Sequence, residues 1–570
     1  MNVIKPMNAL KSVRLCLLLI ALLMALLPVE SRNAAAQAAV SVQVAMAPVT
    51  TLEPLSLSRA DGTPNDSARD IAENLFVGLT RYNPLSDKIE PLLARDWQTS
   101  ADGLTWTFHL RDDIQWMKYD PAAQTATAVR PVSAGDVIYG LRRACDPRLS
   151  RPATNAIYII AGCRDIATTD PQKITDVAIT QLLGATVVDS HTVQIVLAFP
   201  AIYFPALLTL PEFRPVPREA VTKASAAGSA TPDWTQPDSL MTDGPWLLTN
   251  WTAAQGMTLI RNNSWPDKIV GTVTTVTVSF SSAAGMVQRL PPGGTAPAGD
   301  VLQTSAQSVV VLGFSAERLV TQPDTIRRAL ALAIDRAGLV RALQTAAIAG
   351  AAQWQPASHF TPVGTAADNS GFDPAAAKAA LTASTIPGCS RVPEKFDFVT
   401  DGSPLQIAIE TTLFAQWKAA LGCPAAIFTT ETASADKLRA ITRAAINSDL
   451  QINASALPRP HLWIAAWSAD YPDQNAWAAD GLHCQYGYLR TNITCGDPDK
   501  QIDSAGVEAD PAKRQADYNA AETGWFSAGG TFPVAPLYIT LALRSHPATV
   551  SGIADHGAFR FDQWSVSSPS

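Results

Sequence analysis

The chain has 570 residues, of which 47% are hydrophobic and only 16% charged, with a net charge of -7. That length exceeds one compact domain and leaves ample material for a core, so two or three domains are expected. Nucleic acid is excluded as a partner, because nothing here would neutralise phosphates in quantity, and no basic tract marks a membrane surface.

The N-terminus reads as a targeting segment. Lys5, Lys11 and Arg14 form a positive region, followed by an apolar run of thirteen residues from Leu15 to Leu27. A spanning helix needs about 20 residues. Ala36-Gln37-Ala38 supplies small residues at signal-peptidase spacing, so residues 1–38 are expected to be removed, leaving a soluble chain that starts at Ala39. Cys16 opens the apolar run rather than ending it, which places it in the discarded peptide and not at a lipidation site.

Strand and helix signals then alternate. Trp106, Phe108 and Leu110 fall on one face of the stretch Thr105–Arg111, and a polar Arg111-Asp112-Asp113 break precedes Trp116, predicting two strands and a turn. Asp189-Ser190-His191 is a turn signal before the alternating Val193, Ile195 and Leu197. The β-branched run Thr272–Phe280 predicts another strand. Pro291–Gly299 reads as a flexible connection. Asp324 is a candidate N-cap for one helix carrying Ile326, Leu330, Ile334 and Ala337 at helical spacing. Gly350–Gly371 is rich in small residues with little period. Asp373-Pro374 opens a helix over Ala375–Leu381, with proline at its first position. Ala512–Phe526 predicts a third helix, and Ser565–Ser570 a loose tail.

Six cysteines remain after Cys16: Cys145, Cys163, Cys389, Cys423, Cys484 and Cys495. An even number in an exported chain suggests disulfides, with fifteen possible connectivities. Pairing neighbours (145–163, 389–423, 484–495) is the simplest, since each closes a local loop. The competing reading is a metal site around His483-Cys484, Cys495 and His461, but no CxxC spacing supports zinc.

Catalytic signatures are missing. The sequence holds no GxSxG elbow, HExxH, Walker A loop or GxGxxG, and its seven histidines make no i,i+4 pair. No cofactor or metal is expected. The most informative stretch is Trp463-Ile-Ala-Ala-Trp467-Ser468-Ala469-Asp470-Tyr471-Pro472-Asp473. An apolar, aromatic run of strand character ends in a carboxylate, a tyrosine and a proline turn, a combination suited to a ligand with a positive charge and an apolar body. The bland alternative is a solvated Asp470 in a turn. Asp470 and Asp473 would be a glycosidase-like pair only if they converged, and three residues around a proline turn favour divergence. For Trp106 core filling is the better reading, whereas Trp467 suits ligand contact and core equally.

Several motifs fall in one order. Thr51-Leu52-Glu53-Pro54 is similar to "LDP", and Leu75-Phe76-Val77-Gly78-Leu79 to "LFEGL". Trp106–Arg111 with Trp116 and Pro131–Val137 resembles "WTFHLR…W…PVTAxDFV". Trp234–Pro237 leading to Thr242–Trp246 and Trp251 resembles "WTQP…TNGPYKLxxW", and Leu259–Trp265 "LxRNPxYW". Arg327–Arg336 resembles "RxALxxAIDR", and Ala466–Asp473 "xWxADYPD". Together these resemble the oligopeptide- and dipeptide-binding class of extracytoplasmic solute-binding proteins of ABC importers (solute-binding family 5), over essentially the whole mature chain.

The resemblance implies an α/β, two-lobed periplasmic-binding-protein-like fold of type II with an extra domain in the first lobe. Lobe 1 would comprise residues 39–315, with the extra domain near 76–200, and would be rejoined by 531–570; lobe 2 would span 316–530. A peptide would lie extended between the lobes, its backbone paired with strand edges. Its ammonium group would meet Asp470, with Trp467, Ser468, Ala469, Tyr471 and Gly78 also at the ligand. An ABC permease and its ATPase subunits would be the partners of a monomeric, periplasmic or envelope-associated receptor. The chain departs from the pattern in a short stretch between Asp300 and Arg328, in Ser468 where some relatives carry Cys, and in insertions between Pro54 and Leu75 and after Trp116. Another solute on the same fold (oligosaccharide, haem or metal chelate) or a secreted hydrolase are the competing readings.

Overall fold

Alternation of large apolar side chains builds the first sheet of this computed structural model. It describes residues 39–57, 65–149, 156–226, 233–362, 371–384, 386, 388, 389, 392–434, 437, 438, 459–489 and 495–567. The expected targeting segment 1–38 lies outside them. Residues from Ser41 onward form one contact unit, to which everything below belongs.

In chain order, β1 (Ser41–Ala45) is followed by α1 (Asp66–Leu75), capped by the Asn65 side chain on Ala68 N. Next come β2 (Ala94–Thr99) and β3 (Thr105–Leu110), whose Trp106, Phe108 and Leu110 are buried as the alternation predicts. The insertion after Trp116 is a hairpin, Gln115–Asp120 against Thr125–Pro131. The α2 helix (Ala134–Cys145) begins with a capping box between Ser133 and Asp136, a reciprocal bond pattern that satisfies two orphan amides. Its last residue, Cys145, is bonded to Cys163, the first residue of α3 (Cys163–Thr168). Then β4 (Ala185–Asp189) and β5 (Thr192–Val196) complete an antiparallel sheet of order β2-β3-β5-β4.

Nine further strands join β1 in one long mixed sheet. They are β6 (Trp246–Thr252), β7 (Gly256–Arg261), β8 (Thr275–Ser279), β9 (Val287–Leu290), β10 (Asp300–Phe314), β11 (Phe396–Thr400), β12 (Phe428–Thr432), β13 (Leu462–Trp467) and β14 (Val534–Pro547). With β1 the order is β6-β7-β8-β1-β9-β14-β10-β13-β11-β12. The two longest strands, β10 and β14, are antiparallel neighbours at its centre. The C-terminal ends of β10 (Val309–Phe314) and the N-terminal end of β14 (Val534–Tyr538) belong to a core shared with β11, β13 and the helices between them. Their other ends pair with each other, and β14 also pairs there with β9. Register shifts fall between Ala306 and Ser308 and between Val310 and Val311, where the added twist of a bulge bends the pair. The short stretch between Asp300 and Arg328 thus begins with strand β10, paired with β14.

Two helical expectations need correction. The helix expected to run from Asp324 past Ala337 is two helices, α4 (Asp324–Leu332) and α5 (Arg336–Thr345). Pro323 occupies the N-cap position of α4. Asp335 ends the run, because its carboxylate accepts from Gly338 N at 2.8 Å and caps α5 instead of continuing α4. The arginines of this motif hold the chain before and within β14: Arg327 bonds the carbonyls of Thr531 and Phe532, Arg328 that of Gly530, and Arg336 that of Pro536. The expected helices at Pro374 and Ala512 form as α6 (Pro374–Ala383) and, near the C-terminus, α10 (Pro511–Phe526). Between them lie α7 (Pro404–Leu421), α8 (Gln474–Leu482) and α9 (Asp497–Val507). The tail is not loose at its start, since Ser565–Val566 pairs with Val550–Ser551; residues 568–570 lie outside the description. Part of the irregular 350–371 stretch is likewise ordered, Gln355–Pro356 adding to β14.

Candidate functional site

β13 follows β10 in register from Phe314↔Leu462 to Val309↔Trp467 and then leaves the sheet. On β10 the next residues run into the shift around Gln307. The strands therefore part at Trp467, and Ser468–Asp470 swing away from Ser305–Gln307. Between them opens a cavity of about 1260 Å³. Its walls include the polar side of α1 (Asp66, Arg69, Asp70, Glu73), the β10 segment Ser305–Gln307, the turn Ser468–Gln474, and Trp477, Arg514 and Tyr518 from α8 and α10.

Asp470 is open to solvent inside the cavity. Surrounding protein pushes its carboxyl above the usual range by desolvation, and Arg69 opposes that push. Its access to water and the Arg69 guanidinium both favour the charged form of this carboxyl. Tyr471 points into protein: it is buried, its hydroxyl accepts from Asn475 Nδ2 at 3.0 Å, and burial drives its pKa well up. Tyr518 donates to Asn475 Oδ1 at 3.2 Å from the other side. Asp473 is occupied structurally. It caps α8 through Asn475 N at 2.8 Å and forms a two-pronged pair with Arg514 at 2.6 and 2.8 Å. It is therefore held by Arg514 rather than poised as an acid/base partner of Asp470. Asp480, one turn from the end of α8, is pushed up to about 7 by burial, with Asp470 and Asp473 adding repulsion and Tyr471 opposing.

Of the residues expected at a ligand, Ser468, Ala469, Asp470 and Tyr471 line the cavity. Trp467 does not: its indole N–H donates to Ala476 O at 3.0 Å and its ring lies 5.3 Å from Tyr488. It anchors the start of α8. Gly78 is also off the cavity wall; a side chain there would meet the carbonyls of Thr80 and Leu208 at 2.8 and 3.0 Å, so the glycine serves close backbone packing. Arg69 and Trp477 were not foreseen. Arg69 carried a weak signal, as a cation on the polar side of an amphipathic, capped helix.

The cysteines pair as neighbours: Cys145–Cys163, Cys389–Cys423 and Cys484–Cys495. His483, Cys484 and Asp499 lie close enough together to share a cation, but the disulfide ties up the Cys484 sulfur. His461 is elsewhere, bonded to Glu394 at 3.0 Å and to Asp397. Among the described residues no helix is long and apolar enough to cross a membrane.

The model of the bacterial extracellular solute-binding proteins, family 5 (middle), matches residues 88–488. The periplasmic oligopeptide-binding protein OppA of Salmonella typhimurium is 30% identical over 249 residues, 43% of this chain and 40% of OppA. The periplasmic murein peptide-binding protein MppA of Escherichia coli is 26% identical over 522 residues, 85% of this chain and 86% of MppA. The match thus spans less than half the length of the first relative and most of the second. An unliganded open form of MppA superposes with a TM-score of 0.68 at 22% identity, covering 92% of this chain and 97% of that one. HbpA2 from Haemophilus parasuis gives 0.67 at 16% identity, covering 93% and 100%. The chain belongs to family 5 of the bacterial extracellular solute-binding proteins and has their α/β, two-lobed type II fold.

Proposed function

We propose that this chain is an extracytoplasmic receptor that captures peptides in the large cavity and delivers them to an ABC permease driven by separate ATPase subunits. The observation that carries the reading is Asp470, a carboxyl group exposed in the cavity just past the point where β13 leaves the sheet. It is suited to hold a peptide's α-ammonium group. Ser305–Gln307 of β10 and Ser468–Ala469 offer main-chain groups beside it, as pairing with an extended backbone requires. The relatives named for binding oligopeptides and murein peptides support the same ligand class.

The lobes in this reading are residues 39–315, with the extra domain near 76–200, and 316–530, with 531–570 returning to the first. The bent β10–β14 pair is the hinge. Residues 1–38 direct export and are removed, and the receptor works outside the cytoplasm as a monomer. It binds and releases its ligand without turnover. Mass spectrometry of ligand released from gently purified exported protein tests this. Intact peptides are expected; a bound sugar or chelate, or hydrolysis of added peptide, would overturn it.

A further inference from the structure

Arg69 stands on α1 facing the cavity. Two carboxylates beside it on the same helix are committed elsewhere: Asp70 to Arg289 at 2.8 Å, and Glu73 to Arg214. Among the described residues no side-chain hydrogen bond or ion pair engages the Arg69 guanidinium, and its Nε is enclosed without a partner. An enclosed Nε without a partner forgoes a hydrogen bond that water would give it. Asp470 is within its electrostatic range, yet the two do not pair directly. A second cavity of about 390 Å³, bounded by residues that include Leu57, Tyr158 and Pro171, shares Arg69 and Pro211 as walls with the first. Arg69 therefore sits at the junction of two spaces, opposite in charge to Asp470.

We infer that Arg69 is the second anchor of the site and binds a carboxylate of the ligand. The planar fork of arginine matches a carboxylate with two parallel bonds, and it needs no proton exchange to do so. A ligand with an ammonium group at Asp470 and a carboxylate at Arg69 satisfies both unpaired charges at once, and whatever lies beyond the carboxylate enters the smaller cavity. The carboxylate comes from an acidic side chain or from the peptide's own C-terminus. The inference rests on the peptide reading and adds to it a preference for anionic groups that Asp470 alone would not confer.

The test uses the mature protein with Ala-Glu-Ala and Ala-Gln-Ala, each as free acid and as C-terminal amide, and titration calorimetry on native and Arg69→Met. In the native protein, removing the carboxylate that Arg69 holds weakens binding about tenfold or more, as expected for a charge-assisted bond. A loss on Glu to Gln identifies a side-chain carboxylate, and a loss on amidation the C-terminus. In Arg69→Met that discrimination disappears, while the penalty for N-acetylation persists. The inference falls if native protein binds all four peptides alike, or if Arg69→Met weakens all four equally. Should Arg69→Met fail to fold, the native comparison still decides. If peptides bind but N-acetylation has no effect, the Asp470 assignment is at fault and not Arg69. If none of the four binds the native protein, the peptide reading and this inference fall together.

Discussion

Tyr471 stacks on Tyr203, with ring centroids 6.0 Å apart and planes 14° from parallel. Beside this stack Ile202 N donates to Gly506 O at 2.9 Å. The residue after Asp470 is thus fixed against the segment that follows the four-stranded sheet, so the site turn is set from both sides of the cavity. Stacking of this kind is worth about 0.5–1.5 kcal/mol beyond the area it buries.

Tyr203→Ala is expected to weaken peptide binding by about three- to tenfold, the equivalent of that stacking energy. Tyr203→Phe, which keeps the ring, should bind nearly as native does. Calorimetric titration with one peptide checks both. Equal losses in the two variants would show that the hydroxyl, and not the stack, positions the turn.

Asp480 makes stability depend on pH. Its folded pKa, near 7, lies above the ordinary 3.8, so the folded state keeps a proton that the unfolded chain has lost. Its contribution is present in full below about pH 4 and is lost as pH rises towards 7. The melting temperature should therefore fall between pH 5 and 8 more steeply in native protein than in Asp480→Asn, which carries no charge to penalise. Parallel melting curves across that range test it; identical slopes would contradict the assignment. Comparing the two proteins is essential, because burial also raises Glu53, Asp243 and Glu522 and tilts the curve the same way.

The disulfides should matter unequally. Cys389–Cys423 closes the longest loop, with a sequence separation of 34, against 18 for Cys145–Cys163 and 11 for Cys484–Cys495. In the chain-entropy account each contributes about 2–4 kcal/mol, more for the longer loop. Alkylation and intact-mass analysis of exported protein should find no free thiol, and paired Cys→Ser variants should lose stability in the order of loop length. Six free thiols would contradict the pairing, and a reversed order would point to enthalpic terms.

Much of the fold was legible because it rests on local patterns. Trp106, Phe108 and Leu110 alternate and are buried together, and Pro374 opens the helix its position suggests. Asp470 was legible as the end of an aromatic strand. What escaped depends on contacts distant in sequence or on competition between local signals. Asp335 fits the helical period yet caps the next helix. Trp467 looks like a ligand contact until its indole N–H is seen to bond Ala476. Gly78 follows the motif but answers to the carbonyls of Thr80 and Leu208. Arg69 lies roughly 400 residues from Asp470 in sequence, and only the folded chain brings the two charges to one cavity.

The central claim is that Asp470 holds the ligand's α-ammonium group. The most direct measurement is peptide affinity for native protein and Asp470→Asn, each with a free and an N-acetylated peptide. With the lobes closed over the ligand this pair is shut off from water, and truncating one member of such a pair costs about 3–5 kcal/mol, or roughly two to three and a half decades in affinity. The account predicts that either change alone weakens binding by about that amount, and that the second adds little once the first is made. Additive losses, or no loss from either change, would contradict it.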